Sequence, residues 1–200
     1  MGTGTGRAAL VVVLMMSAGV RAGASDRGES GDAAPGGIPE AAVQGVSGVR
    51  AGSPGIAAAI ERAREGSATF RQLVATIGAT DGIVYVHEGL CLRGVLACLL
   101  HTVTQAGPNR ILHIRVDPRR TGLDLMVTIG HELTHAAEVL SQPSLVDKFS
   151  VRLYYELLGP TDRLAFETKA AIGNELTVRK ELKKWNRAQA AQSHQPPAIR

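Results

Sequence analysis

Gly122-Leu-Asp-Leu-Met-Val-Thr-Ile-Gly-His131-Glu132-Leu133-Thr134-His135-Ala-Ala-Glu138-Val-Leu-Ser141 is the stretch on which the reading of this 200-residue chain turns. Its apolar residues recur at helical spacing and Pro143 follows, which predicts a helix from about Gly122 to Ser141. On a helix, His131 and His135 project from one face, near enough for two imidazoles to reach one Zn²⁺ at about 2.1 Å. Glu132 stands beside the first of them. There its carboxylate can contact a water made acidic by the metal and take the proton as that water attacks a carbonyl. Ile129, Leu133, Ala136 and Ala137 supply an apolar setting in which histidines without a ligand would be costly.

The elements on either side predict an α+β domain over residues 56–186. Ile56, Ile60, Ala63, Phe70, Leu73, Val74 and Ile77 recur at helical spacing, interrupted near Gly66 and stopped by Gly78. Strands are expected at Ile83–Glu88, Ala97–Thr104 and Arg110–Val116, forming a small antiparallel sheet. In the third of these, Leu112, Ile114 and Val116 share one face, and Ile111, His113 and Arg115 the other. Ser144 can cap a helix running to Leu158, and a last helix is expected from Thr161 or Arg163 to Asn186, followed by a polar tail over 187–200.

Composition excludes several function classes. The net charge of +4, from 22 Lys+Arg against 18 Asp+Glu, carries no dense basic stripe, so a nucleic-acid partner is not expected. With 4% aromatic residues there is no stacking platform for single strands. Two cysteines cannot build a disulfide-dense scaffold or a cysteine zinc cluster.

Arg7 precedes an apolar run from Ala8 to Val20 that is too short to span a bilayer, and Ala22-Gly23-Ala24 offers a small-x-small cleavage site. Residues 1–24 therefore read as a secretory signal, with the mature chain secreted or periplasmic and without a membrane anchor once it is cut. Residues 25–55 are rich in Gly, Pro, Ala and Ser and read as a disordered linker or propeptide. In an exported chain, Cys91 and Cys98 are expected to form a disulfide tying a hairpin.

Gly130-His131-Glu132-Leu133-Thr134-His135-Ala136 resembles the active-site helix of zincin metallopeptidases, particularly the thermolysin-like gluzincins, over about ten residues. The resemblance implies a zincin-like fold with an edge strand beside the helix. It also implies His131 and His135 as zinc ligands, Glu132 as general base and a peptide or protein substrate. Position 141 is serine, so the metzincin pattern with a third histidine fails. Gluzincins take a glutamate from a later helix, and Phe166-Glu167-Thr-Lys-Ala-Ala171 supplies one early in the last helix. The family's aspartate four residues on is Ala171 here, which leaves the residue orienting His131 unidentified.

Glu138 is the other candidate for third ligand. Three ligands from one straight helix converge poorly on a tetrahedral ion, so a supporting role is favoured for it. Glu156 and the Asn174-Glu175 pair match the family pattern only superficially, and no spacing selects among Asp147, Tyr154 and Tyr155 as auxiliary groups. His87, His101 and His113 fall on strands, where a lone histidine is usually a surface or satisfied residue, and His194 lies in the tail. The chain thus reads as an exported zinc-dependent hydrolase. The alternative is a zincin-like binding or scaffold protein without catalysis, which the short domain, with little wall for a cleft, favours.

Overall fold

The computed structural model of the chain describes residues 48–92, 94–158 and 166–193. The expected signal sequence, the expected linker up to residue 47, the expected helix start at Thr161 or Arg163 and His194 lie outside these residues. In chain order the elements are β1 (Gly48–Ala51), α1 (Pro54–Gly66), α2 (Ala68–Gly78), β2 (Gly82–Glu88), β3 (Ala97–Ala106), β4 (Asn109–Val116), α3 (Gly122–Leu140), α4 (Lys148–Leu158) and α5 (Lys169–Ser193). The fold is mixed α/β, with five helices and one four-stranded sheet among the described residues. None of these helices is long and apolar enough to cross a membrane.

The sheet is mixed rather than antiparallel. Its order is β1-β2-β4-β3, with β1 parallel to β2, β2 parallel to β4, and only β3 antiparallel to β4. Parallel neighbours need a long crossover, which α1 and α2 supply between β1 and β2. β2 and β4 become neighbours because the chain first runs out along the edge strand β3 and then returns by a tight turn at Gly107. β1 falls inside the stretch whose composition reads as a linker: four residues, Gly48-Val-Arg-Ala51, carry no pattern of their own and are fixed by backbone pairing with Ile83–Val86. Among the described residues the first strand therefore starts at Gly48, inside the expected linker, and the last helix continues through Ser193 into the stretch expected to be a polar tail.

Central strands alternate as their sequences require. Val84 and Val86 on β2 and Leu112, Ile114 and Val116 on β4 are buried against the helices, and Ile111, His113 and Arg115 take the opposite face. One helical pattern becomes two helices at Ser67. This buried residue ends α1, and its hydroxyl accepts from the Phe70 N–H to cap α2 while donating to Glu181 of α5. Gly66 is required beside it, because a Cβ there would lie 2.8 Å from Leu182 and Trp185.

α3 packs between the sheet and α5. Its C-terminal carbonyls meet the buried Arg110 of β4, whose guanidinium donates to the carbonyls of Val139, Leu140, Gln142 and Leu145 and pairs with Asp81 at 2.8 Å. A Cβ at Gly82 would overlap Leu140, so the start of β2 has to be glycine for the helix end to sit this close. Halfway along α3, Gly130 lies under Phe70 of α2 and Val178 of α5, where a Cβ would come within 3.3 Å of the Phe70 ring. This close approach brings α5 alongside the two histidines.

Candidate metal centre

One turn of α3 places His131 and His135 side by side, with their Nε2 atoms 3.2 Å apart. Glu167 Oε2 lies 3.2 Å from His131 Nε2, and one ligand atom from each of the three residues falls within 4.8 Å of the others. Two donors each about 2.1 Å from one tetrahedral ion lie about 3.4 Å apart, so the spacing suits a single cation. Two imidazoles and one carboxylate are a donor set that zinc accepts. His131 and His135 are 12% and 7% exposed, and Glu167 is 42% exposed, which leaves one side of the group facing solvent.

The sequence places Glu167 within the last helix, but in the structure it precedes that helix. Thr168 is the cap: its hydroxyl accepts from the Ala171 N–H at 3.0 Å, so regular structure starts at Lys169. The same hydroxyl donates to Glu138 Oε1 at 2.6 Å. Phe166, Glu167 and Thr168 thus do three things in sequence. Phe166 stacks on Tyr155 at 5.5 Å, Glu167 faces the histidines, and Thr168 starts α5 and anchors Glu138.

Each histidine has its far nitrogen held by a carboxylate. His135 Nδ1 meets Glu138 Oε2 at 3.0 Å, and His131 Nδ1 meets Glu175 Oε2 at 3.1 Å. Such partners fix tautomer and ring orientation and direct Nε2 toward a metal. Glu138 therefore lies on the side of His135 away from the ligand group. Glu175, two helical turns beyond Glu167, fills the role that Ala171 leaves open; it is tethered in turn by Arg179, which also pairs with Asp124 of α3 at 2.8 Å. Asn174 donates to Thr134 Oγ1, a further bond between α5 and α3.

Glu132 is 7% exposed, and its Oε2 accepts from the Leu99 N–H of β3 at 2.7 Å. Burial pushes its carboxyl above the ordinary glutamate range, against the opposing pull of His135 and His131. Burial works against the charged form of His135, but the Glu138 hydrogen bond and the surrounding carboxylates hold its imidazole above the usual value. Tyr155 of α4 donates to the His135 carbonyl at 3.2 Å and presents its ring edge to His135, while burial raises its phenol well above the ordinary range.

A cleft of about 540 Å³ opens onto this group, with Leu90, Leu92, Leu99, His101, Tyr155 and Phe166 among its walls. Cys91 and Cys98 are bridged at its rim. The disulfide does not tie a hairpin, since β4 separates β2 from β3; it ties the β2–β3 connection to the edge strand. His101 is a packed strand residue that lines the cleft, which its sequence position does not announce. The pairing of β3 with β4 slips between Leu100 and Thr104, and within this bulge His101 packs on Phe166 at 5.0 Å and Tyr155 at 5.8 Å. Burial first, then the nearby His135, lowers its pKa.

The remaining candidates lie elsewhere. Glu156 pairs with Arg152 on the exposed side of α4, Asp147 accepts from the Phe149 and Ser150 N–H groups at the start of that helix, and Tyr154 packs against Tyr155. His87 and His113 contact each other across β2 and β4. Glu175, Thr168 and His101 belong to the site without being selected by sequence reasoning. Threonine three residues before Ala171 is a readable capping signal for Thr168, whereas nothing local marks Glu175 or the bulge. Comparison of the chain with protein-family models, with curated proteins and with solved structures finds no match.

Proposed function

We propose that the chain is an exported zinc-dependent hydrolase of zincin type, acting on peptide bonds. The observation that carries this reading is the convergence of His131, His135 and Glu167 within 4.8 Å of one another at the wall of a cleft, with Glu132 beside them. His131, His135 and Glu167 would hold a Zn²⁺ ion, which would supply Lewis acidity for a carbonyl and lower the pKa of a bound water.

The chain's own residues do the rest. Glu132 is anchored by the Leu99 N–H through Oε2, so its other oxygen, Oε1, takes the proton of the attacking water and returns it to the leaving amine. Its burial suits this exchange, because a carboxylate raised above its ordinary range is a stronger base. Glu138 and Glu175 keep the imidazoles aimed, and the apolar side chains of the cleft wall offer contacts to a substrate's side chains. Among the described residues β3 is paired on one side only, and an extended peptide adds naturally to such an edge. The Cys91–Cys98 bridge supports the exported location, since disulfides persist in oxidising compartments.

The cleft also bears on the alternative of a scaffold without catalysis, because a pure binding role needs no buried general base beside the ligand group. The test is a zinc determination together with turnover of a quenched-fluorescence peptide library. One zinc per chain, with hydrolysis in the wild type and none in Glu132→Gln, is expected. Zinc without hydrolysis would favour the scaffold, and no zinc after reconstitution would end the hydrolase reading.

A further inference from the structure

His87 on β2 and His113 on β4 lie on the sheet face turned away from the helices, and no role in the cleft uses them. His87 Nε2 and His113 Nδ1 are 3.2 Å apart, the same separation as between the two Nε2 atoms of His131 and His135. That separation permits a shared proton or a shared metal ion. Two nitrogens about 2.0–2.1 Å from one ion, at an angle between 90° and tetrahedral, lie about 3.0–3.4 Å apart.

The pair is held in place from both sides. The Tyr85 ring stacks on His87 at 5.8 Å and on His113 at 5.6 Å, and Gly52 lies so close to His87 that a Cβ there would overlap its ring. Strand register fixes the rest, setting Tyr85 opposite His113 and His87 opposite Arg115. The imidazoles face an open hollow bordered by Leu100 and Arg115, with room for solvent ligands to complete a coordination shell. Among the described residues, Arg115 is the one permanently charged group bordering the hollow. Its repulsion weakens the site without blocking it, since the side chain is exposed and its aliphatic part lies over Gly89.

We propose that His87 and His113 form a second, solvent-facing chelate for a divalent late transition-metal ion, with Cu²⁺ held most tightly. Imidazole suits copper, nickel and zinc, and the general affinity order places Cu²⁺ first. The site is independent of the hydrolase reading: it lies round the edge of the sheet from the cleft and shares with it only Leu100 and Arg115.

The test is calorimetric titration of the full chain with Cu²⁺ at neutral pH, with electron paramagnetic resonance of the bound ion. The wild type is expected to bind two equivalents, and His87→Gln and His113→Gln are each expected to weaken one of them by at least about tenfold, no less than loss of an outer-shell partner costs. His131→Gln should remove the other equivalent and leave a signal split by two imidazole nitrogens. Because His87 and His113 are only part-buried, circular dichroism should show both glutamine variants folded. The proposal is overturned if copper binding is the same in wild type, His87→Gln and His113→Gln, or if the residual signal in His131→Gln shows no imidazole nitrogen. Failure of the cleft to bind metal would remove only the His131-dependent equivalent, so the two readings fail separately.

Discussion

Replacing Glu167, Glu138 and Glu175 by alanine, one at a time, separates a ligand from its supports. Glu167 Oε2 is 3.2 Å from the inward nitrogen of His131, whereas Glu138 and Glu175 meet the outward nitrogens of His135 and His131. Supports of this kind are worth about 10–100-fold in metal affinity each, or about 1.4–2.7 kcal/mol. Glu138 belongs at the upper end of that range. It is 16% exposed and is fixed by Thr168, so little solvent screens its contact with His135. Glu175 belongs at the lower end, being 35% exposed and shared with Arg179. Loss of Glu167 removes one of three protein donors and should exceed about 100-fold, because the carboxylate charge goes with it. Competition of each variant against a chromophoric zinc chelator ranks the three directly. An empty site in Glu138→Ala with normal binding in Glu167→Ala would reverse the ligand assignment. Unchanged affinity in both Glu138→Ala and Glu175→Ala would show that the carboxylates do not support the histidines.

Arg110→Ala should destabilise the fold by about 3 kcal/mol or more, since it leaves the carbonyls at the end of α3 without their donor and Asp81 without its partner. Urea unfolding measures this, and a loss under about 1 kcal/mol would contradict it. Reducing the Cys91–Cys98 bridge, or replacing both residues by serine, should lower stability by about 2–3 kcal/mol from the short loop it closes. Denaturation with and without reductant checks this. The Arg179 guanidinium beside Asp124 holds that carboxyl below the ordinary aspartate range. A folded pKa below the unfolded one gives stability that is present above the unfolded value and lost as pH falls through the folded value. Asp124→Asn should therefore cost at most about 1 kcal/mol at pH 7, the pair being half exposed, and should match the wild type in acid. A gap that widens on acidification would refute this sign.

The helix, its histidine pair and the alternation of the central strands are legible in the order of residues alone. Each depends on a period within one element: i and i+4 on α3, every second residue on β2 and β4. The sequence also pointed to the disulfide, because an expected export and two cysteines left one pairing. Tertiary structure decided what rests on contacts between elements. β1 exists only by pairing with β2, and the parallel arrangement follows from β4 inserting between β2 and the edge strand. Glu175 reaches His131 because Gly130 lets α5 approach α3, and no spacing within α5 announces that distance. His101 enters the cleft wall through a bulge that shifts register, and the His87–His113 contact comes from two strands meeting in parallel register. A side chain's own periodicity is local and readable; the partner it meets depends on how distant backbones stack, and that is settled only when the whole core packs.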